Sequence, residues 1–462
     1  MLTLQFENLS GIDANQIFIT PYTDSDKAYD VKVQDSNGQL IDFPKNTSLS
    51  LAEIGSSGVQ ISAMDSARFY VSFNKRWTIT TPKVQPSAVA KTDAWYHTQW
   101  DKFEITMNGN PGDQANLTSI DFVGIPMRLE TRDINGNILQ KIGYPDGNKV
   151  VSNLALENVS AAVTDTGNVN GKVVRVIGPF QNTYPDIGHW PSFEPYVKSL
   201  FDNSQITQIH RAIALVINAS ANLMFAYQFN ASVNPDQGMS LTGTISTTNT
   251  QNNSAPASNS GSLSIDIQAD STKGTYFSSF VYAGVGNAEA NGETNVTFGG
   301  DWEQYFDDTI RPHMSGSSSD DIHDKIADCM ETVQKTIIGD LAVGFAYGFV
   351  GSDDFGDQTS EVWFAEGQKK VLEALQPNQP FYSVYQNIIS KEALNNNIYG
   401  HPYSDRLKAL DVAANVVTKD NTDVATLQIT ILKQEDTTSL VNAKIQSQLA
   451  ALWALLKRFL GF

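Results

Sequence analysis

Short strand patterns separated by polar turns fill the first 175 residues, and they constrain the fold more than any other feature. Apolar and β-branched runs occur at residues 2–6, 17–22, 28–34 and 67–73, and turn residues such as Asn37-Gly38 lie between them. Residues 67–73 also alternate between apolar and polar side chains, as a half-buried strand does. Many short strands at roughly ten-residue spacing predict a β-sandwich or barrel.

The pattern changes near residue 190. Residues 193–202 and 208–228 suggest helical or mixed structure, and the polar stretch 240–262 predicts a surface loop or a polar hairpin. Helical spacing follows in 301–314, 321–351 and 362–376, and a strong strand pattern occupies 425–432. We therefore expect a mainly β protein with an α/β second domain: a β domain at 1–175 and a mixed domain at 176–399.

The last segment, 434–462, predicts an amphipathic helix. One stripe of that helix is apolar and consists of Ile445, Leu449, Leu452, Trp453, Leu456 and Leu460. The stripe fits packing on the parent fold or self-association with a sister subunit. Lys457 and Arg458 leave peripheral membrane binding open as an alternative.

Charge and cysteine content exclude several classes of function. The net charge of −19 disfavours a nucleic-acid partner, because such partners require clustered Lys and Arg. A single cysteine, Cys329, permits neither an intrachain disulfide nor a zinc cluster. No run of residues is long and apolar enough for a transmembrane helix, and residues 1–10 predict a first strand instead of an export signal.

The most informative stretch is residues 100–130. Glu104, Thr106 and Asn108 alternate with apolar residues, so a strand would place all three on one face. Thr118 and Asp121 enter a second strand pattern after a short loop. If the two strands pair as neighbours, Glu104 and Asp121 come close together on one sheet face.

Two carboxylates across a cleft are what glycoside hydrolysis requires. One must be protonated to assist the leaving oxygen, and the other must be ionised to activate water or to attack carbon. The alternative is a solvated strand face, since 50 acidic residues make chance pairs common.

Several segments together resemble glycoside hydrolase family 64, the laminaripentaose-producing β-1,3-glucanases of the thaumatin-like superfamily. NLTSIDFVGIPMRLE, residues 116–130, is the most specific match, because it is similar to the family's Asn-Thr-Thr-Gln-Val-Asp-Phe-Phe-Gly-Ile-Pro-Leu motif. FEITMN, residues 103–108, resembles its Glu-Phe-Thr strand, and residues 385–407 resemble its Tyr-Gly-Phe-x-Tyr-Asp-Asp region. The matches span about residues 1 to 433.

This resemblance implies a thaumatin-like β-sandwich or barrel and a mixed α/β domain that flank a wide groove for β-1,3-glucan. It implies inversion at the anomeric carbon, no cofactor or metal, and a secreted protein. Carried over, Glu104 matches the catalytic acid and Asp121 the catalytic base. Thr106, Asn108 and Thr118 match positions of its sugar subsites, and Tyr403 and Asp405 are expected to bind substrate as well. The resemblance also implies return strands of the first domain near 400–433 and insertions around 235–320. Trp95 and Trp100 are expected to bind substrate on a different ground, because aromatic faces stack on pyranose rings.

The chain departs from the family pattern at two positions. Ser404-Asp405 stands where the family has two adjacent acids, and His401 replaces a Phe. A packed aromatic loop is an equal alternative to a sugar platform for Trp95 and Trp100.

Two further functional hypotheses stay open beside the hydrolase: a non-catalytic β-glucan-binding lectin, and a structural protein that assembles through its C-terminal helix.

Overall fold

A computed structural model describes the chain in two compact units. The first unit contains residues 1–190, 388–400 and 410–462, and the second contains residues 191–387 and 401–409. The description leaves out residues 25, 78–84, 168–170, 182–189, 203–207, 219–220, 235–237, 250–259, 268–275, 284–295, 312–317, 357, 367–371, 405–406, 408–412, 418–423, 436–437 and 461–462.

The first unit is mainly β. Its strands are β1 (Leu2–Asn8), β2 (Ile17–Tyr22), β3 (Tyr29–Gln34), β4 (Leu40–Asp42), β5 (Leu49–Ser50), β6 (Val59–Phe73), β7 (Trp100–Met107), β8 (Gln114–Asn116), β9 (Phe122–Val123), β10 (Met127–Arg132), β11 (Ile138–Gly143), β12 (Ala162–Thr164), β13 (Val173–Ile177), β19 (Ala413–Asn415) and β20 (Thr426–Ile431). Its helices are α1 (Leu51–Ile54), α2 (Val150–Glu157) and α10 (Thr438–Leu460).

Twelve of these strands form one sheet that nearly closes into a barrel. The main path is β11-β10-β20-β1-β6-β7-β8-β19, and β2 to β5 pair with β6 or with one another. Only β1 and β20 pair in parallel among the strands of this path. The two ends of the path meet where the backbone N–H of Asn415 donates to Oε1 of Gln140 at 2.7 Å, so little of the sheet edge is left open.

The pairing of β6 with β7 positions the strand of greatest interest. Their antiparallel register places Arg68 opposite Glu104 and Tyr70 opposite Lys102. A bulge interrupts β6 between Met64 and Ala67, and Ser66 within it has a left-handed φ of 47°. Such bulges redirect side chains locally and are common beside functional sites.

A small three-stranded sheet, β12-β13-β9, lies beside an aromatic cluster in the same unit. The cluster contains Tyr22, Tyr70, Trp77, Tyr96, Trp100 and Phe122, with Trp95 packed at its margin. The indole of Trp100 meets Phe122 edge-on with ring centroids 4.6 Å apart. These rings bury a large apolar area and fix the ends of β7 and β9.

The second unit combines a five-stranded antiparallel sheet with helices. Its strands, in sheet order, are β14 (Gln208–Asn218), β15 (Ala221–Asn234), β16 (Gly238–Asn249), β17 (Ser260–Ile267) and β18 (Val296–Gly299). Its helices are α3 (Glu194–Asp202), α4 (Tyr276–Ala283), α5 (Trp302–Ile310), α6 (Ser319–Ala346), α7 (Ser360–Glu366) and α8 (Leu372–Leu375); α9 (Val384–Glu392) begins in this unit and ends in the first.

The structure confirms the mainly β architecture with helices and corrects part of the central region. Within 208–228, for which helical or mixed structure was expected, residues 208–218 and 221–228 lie on the paired strands β14 and β15. On β15, Phe225, Tyr227 and Phe229 are buried and alternate with more exposed residues, which is the period of a strand. Of the two alternatives for 240–262, a surface loop or a polar hairpin, the pairing of β16 with β17 supports the hairpin.

The predicted C-terminal helix is confirmed as α10. Val441 near its start is buried, whereas every residue from 446 to 456 is exposed. No helix within the described parts of the chain is long and apolar enough to cross a membrane.

Candidate functional site

Glu104 lies in the middle of β7 and faces away from the core. Its neighbours Phe103 and Ile105 are 0% and 1% exposed, whereas the Glu104 side chain is 31% exposed. The alternation predicted from sequence is therefore confirmed for this strand, and it presents one carboxylate at the surface of the sheet.

A cleft of about 540 Å³ opens over this face of β7. Both Glu104 and Thr106 line it. Most of the other lining residues are polar, a composition that suits the hydroxyl groups of a sugar. They are Tyr22, Asp24, Ser66, Ala67, Arg68, Gln85, Ile105, Gly112, Gln114 and Asn116.

The Glu104 carboxylate is held by an arginine on the adjacent strand. Nε of Arg68 donates to Oε1 of Glu104 at 2.8 Å. The guanidinium is held in turn, because its Nη1 donates to Oε1 of Gln85 at 2.7 Å. Because Arg68 contacts Oε1, the second carboxylate oxygen of Glu104, Oε2, is the one available to other partners.

Tyr70 completes this group of side chains. Its hydroxyl donates to the same Gln85 oxygen at 2.6 Å. Burial raises the pKa of Tyr70 well above its usual value, and the nearby Arg68 opposes that rise only in part. The phenol is therefore neutral at physiological pH and remains a donor to Gln85.

Asp121 lies just before β9, and Lys102 links it to β7. The Lys102 ammonium forms an ion pair with Oδ2 of Asp121. The lysine side chain is only 5% exposed and the aspartate 26%. Lys102 is two residues before Glu104, so both project from the same face of β7.

The expected direct pairing of the Asp121 strand with the Glu104 strand is not formed. The neighbours of β7 are β6 and β8, whereas β9 pairs with β13. Side-chain contacts bring the two segments together instead. The backbone carbonyl of Asp121 accepts from the N–H of Gly178 at 2.7 Å, which ties this residue to the end of β13.

Three polar residues predicted to bind substrate differ in their exposure and in their contacts. Oγ1 of Thr106 accepts from the backbone N–H of Ser66 at 3.3 Å. Asn108 is exposed just beyond β7 and its amide lies 3.4 Å from Oδ1 of Asp65. Thr118 is only 5% exposed and forms a β-bridge with Tyr399.

The two predicted tryptophans belong to the aromatic cluster. Trp100 is 2% exposed and packs on Tyr70, Trp77 and Phe122. Trp95 is half-buried, and the Lys75 ammonium lies 4.2 Å from its ring centroid. Trp95 thus retains an accessible surface, whereas Trp100 supports the sheet beneath the cleft.

Of the last two predicted substrate-binding residues, Tyr403 lies in the second unit. Tyr403 is half-buried, and its backbone N–H donates to Nδ1 of His401 at 3.3 Å. His401 is buried, and burial lowers its pKa to about 4, which keeps the imidazole neutral. Asp405 falls outside the described residues.

Sequence reasoning missed the cations and amides that surround the carboxylates. Arg68 and Gln85 contact the Glu104 group, and Lys102 contacts Asp121. The alternation of β6 and β7 did place Arg68 and Lys102 on polar faces, but only the register between the strands shows their partners. Among the described residues, no group of His, Cys, Asp or Glu is arranged to hold a metal ion.

Comparison with known proteins identifies the family of this chain. The model of the glycoside hydrolase family 64 β-1,3-glucanases matches residues 1–272. A solved laminaripentaose-producing β-1,3-glucanase in complex with laminaritetraose has the same fold, with 15% identity, a TM-score of 0.51 and coverage of 94% of this chain and 98% of that one. A β-1,3-glucanase domain from Clostridium beijerinckii aligns at 12% identity and a TM-score of 0.46, over 93% of this chain and 97% of that one. No sequence among curated proteins matches.

The family match covers more than half of the chain, including both candidate carboxylates and the strands that carry them. The chain is therefore a member of glycoside hydrolase family 64, the β-1,3-glucanases.

Proposed function

We propose that this protein is an endo-acting, inverting hydrolase of β-1,3-glucan in which Glu104 is the general acid and Asp121 the general base. One observation carries the assignment: Lys102, on the same strand face as Glu104, pairs with Asp121. Inverting enzymes hold their carboxyl groups ~6.5–9.5 Å apart, whereas retaining enzymes hold them ~5–5.5 Å apart. Inversion is assigned here from the resemblance to the family.

The proposed reaction is a single displacement. Glu104 gives its proton to the glycosidic oxygen while Asp121 removes a proton from a water molecule. That water attacks the anomeric carbon from the opposite face, the glycosidic bond breaks, and the configuration inverts. Because Arg68 occupies Oε1 of Glu104, we assign the transferred proton to Oε2.

The cations have complementary roles in this mechanism. The buried Lys102 ammonium stabilises the negative charge of Asp121, which is the form that a base requires. Arg68 orients Glu104 from the side of β6. Both contacts fix the carboxylates before substrate arrives, so less reorganisation is needed during the reaction.

Sugar binding is assigned to the polar rim of the cleft. Thr106 lies on the Glu104 face of β7 and Asn108 follows the end of that strand, while Gln114 and Asn116 line the cleft from the adjacent strand β8. Thr118, Tyr403 and Asp405 are retained as substrate-binding residues from the family resemblance alone. Trp95 is retained as an aromatic surface for a sugar ring, whereas the burial of Trp100 favours the packed-aromatic alternative. The barrel-like sheet is compatible with the thaumatin-like class.

The decisive test is hydrolysis of linear β-1,3-glucan by the wild type and by Glu104→Gln, with product anomers followed by NMR. We expect the wild type to release α-anomeric oligosaccharides and the variant to release none. β-Anomeric products would refute inversion. Intact glucan binding without any hydrolysis by the wild type would support the lectin hypothesis instead.

We also propose that α10 joins two copies of the chain. Leu449, Leu452 and Leu456 on its apolar stripe are 54%, 57% and 41% exposed. Residues 438–462 contain two lysines, one arginine and no acidic residue, in a chain of net charge −19. A second copy offers both a matching stripe and an acidic surface for these cations.

Sedimentation velocity tests this association. The full chain should sediment as a dimer, and the double variant Leu452→Asp with Leu456→Asp as a monomer. A monomeric wild type would contradict the proposal, and binding of that monomer to lipid vesicles would identify a membrane surface as the occupant.

We also propose that the protein acts outside the cell, because a polysaccharide is too large to enter a cell. Detection of the protein in the culture medium by immunoblot would support it, and retention in the cell pellet would not.

A further inference from the structure

A short stretch at the start of β7 contacts the segment that follows Asp121. Nε2 of Gln99 donates to the carbonyl of Gly124 at 3.2 Å. Oδ2 of Asp101 accepts from the backbone N–H groups of Gly124 at 2.8 Å and of Ile125 at 3.0 Å. Together with the Lys102–Asp121 ion pair, these contacts connect the Glu104 strand to the Asp121 segment where no backbone ladder joins them.

The two backbones approach very closely at this point. A Cβ atom on Gly124 would lie 2.3 Å from the carbonyl oxygen of Trp100, which is well inside van der Waals contact. Only glycine allows the approach that brings its N–H to the Asp101 carboxylate. The contact between Asp101 and the backbone of Gly124 therefore depends on a glycine at position 124.

Asp101 is a costly residue to place there. It is 6% exposed, and burial raises its pKa to about 6 despite three backbone N–H donors. The third donor is the N–H of Lys102, which reaches Oδ1 at 2.8 Å. An amide side chain offers only one acceptor oxygen, so a carboxylate is needed to accept all three.

We propose that Asp101 is a positioning residue that holds the backbone after Asp121 against the strand of Glu104 and thereby sets the separation of the two carboxylates. This inference rests on the proposed roles of Glu104 and Asp121. Asp101 itself faces the core side of β7, opposite to Glu104, and acts only through the Gly124 and Ile125 amides. Loss of this contact should misplace the base while leaving the cleft, which binds sugar, in place.

The test combines kinetics with hydrogen exchange. Asp101→Asn should lower kcat on a linear β-1,3-glucan oligosaccharide at least tenfold with KM changed less than about twofold. Hydrogen-exchange mass spectrometry should show faster exchange in the peptide that contains Gly124 and Ile125. The matched control is Glu130→Gln, which alters another buried carboxylate on β10, four strands away from β7 in the sheet.

A kcat loss in Asp101→Asn no larger than in Glu130→Gln, or unchanged exchange at 124–125, would overturn the proposal. If Asp101→Asn does not fold, Gln99→Leu provides the second variant, and its kcat should fall about two- to fivefold. An unchanged kcat in that variant would then count against the proposal. An inactive wild type would refute the proposed function instead, while the exchange measurement would still test the contact.

Discussion

The ammonium group of Lys102 forms an ion pair with the carboxylate of Asp121 across two segments that share no strand pairing. Lys102 and Glu104 are alternate residues of one strand, so a single strand face orients both candidate catalytic groups: Glu104 directly and Asp121 through the lysine. Four experiments test this arrangement.

Replacing Lys102 with methionine should lower kcat while leaving substrate binding in the cleft intact. The isosteric side chain removes the charge that orients Asp121, so kcat should fall tenfold to a hundredfold, or about 1.4–2.8 kcal/mol in the barrier. Steady-state kinetics checks this, with Lys32→Met as the control because Lys32 is half-exposed on β3. A loss confined to KM would show that Lys102 contacts substrate instead.

The roles of the two carboxylates can be separated with an aryl β-1,3-glucoside that carries a good leaving group. Such a substrate needs little protonation, so Glu104→Gln should retain most activity on it while losing about 10²–10⁴-fold on glucan. Asp121→Asn should be defective on both substrates, because water activation is always required. Glu157→Gln, at an exposed position on α2, should behave as wild type. If Asp121→Asn instead retained activity on the aryl substrate and Glu104→Gln lost it, Asp121 would be the general acid and Glu104 the general base.

Gly124→Ala should destabilise the protein by at least about 3 kcal/mol, because the added methyl group overlaps the Trp100 carbonyl on a central strand. Chemical denaturation measures this loss. Gly136→Ala is the matched control: it has a left-handed φ of 84° and open space around a Cβ, so it should cost only about 1–2 kcal/mol. A loss in Gly124→Ala no larger than the loss in Gly136→Ala would mean that the Trp100 carbonyl moves aside and that the close approach costs little.

The buried Asp101 should leave a signature in the pH dependence of stability. Burial raises its pKa from 3.8 to about 6, so the native state holds this proton more tightly than the unfolded chain. Its stabilising contribution is complete below pH 3.8 and is lost as the pH rises through about 6, by on the order of 3 kcal/mol. Denaturation of wild type and Asp101→Asn at several pH values measures the difference. A free-energy difference that stays constant from pH 4 to 7 would contradict this assignment.

The sequence by itself determined the local character of the chain. Alternation identified β7 and the outward direction of Glu104, polar turns identified the β-rich first unit, and the apolar stripe identified α10. These features depend on side-chain periodicity, which is a property of neighbouring residues. The pairing of β14 with β15 also overturned one such local indication, at residues 208–228.

Only the tertiary structure decided which groups meet. Arg68 lies opposite Glu104 because of the register of β6 with β7, and Asp101 receives the N–H groups of Gly124 and Ile125 because two backbones approach at a glycine. Periodicity shows which face a side chain occupies but not which distant residue it meets. Such partners depend on strand register and chain packing, which are set by the whole core at once.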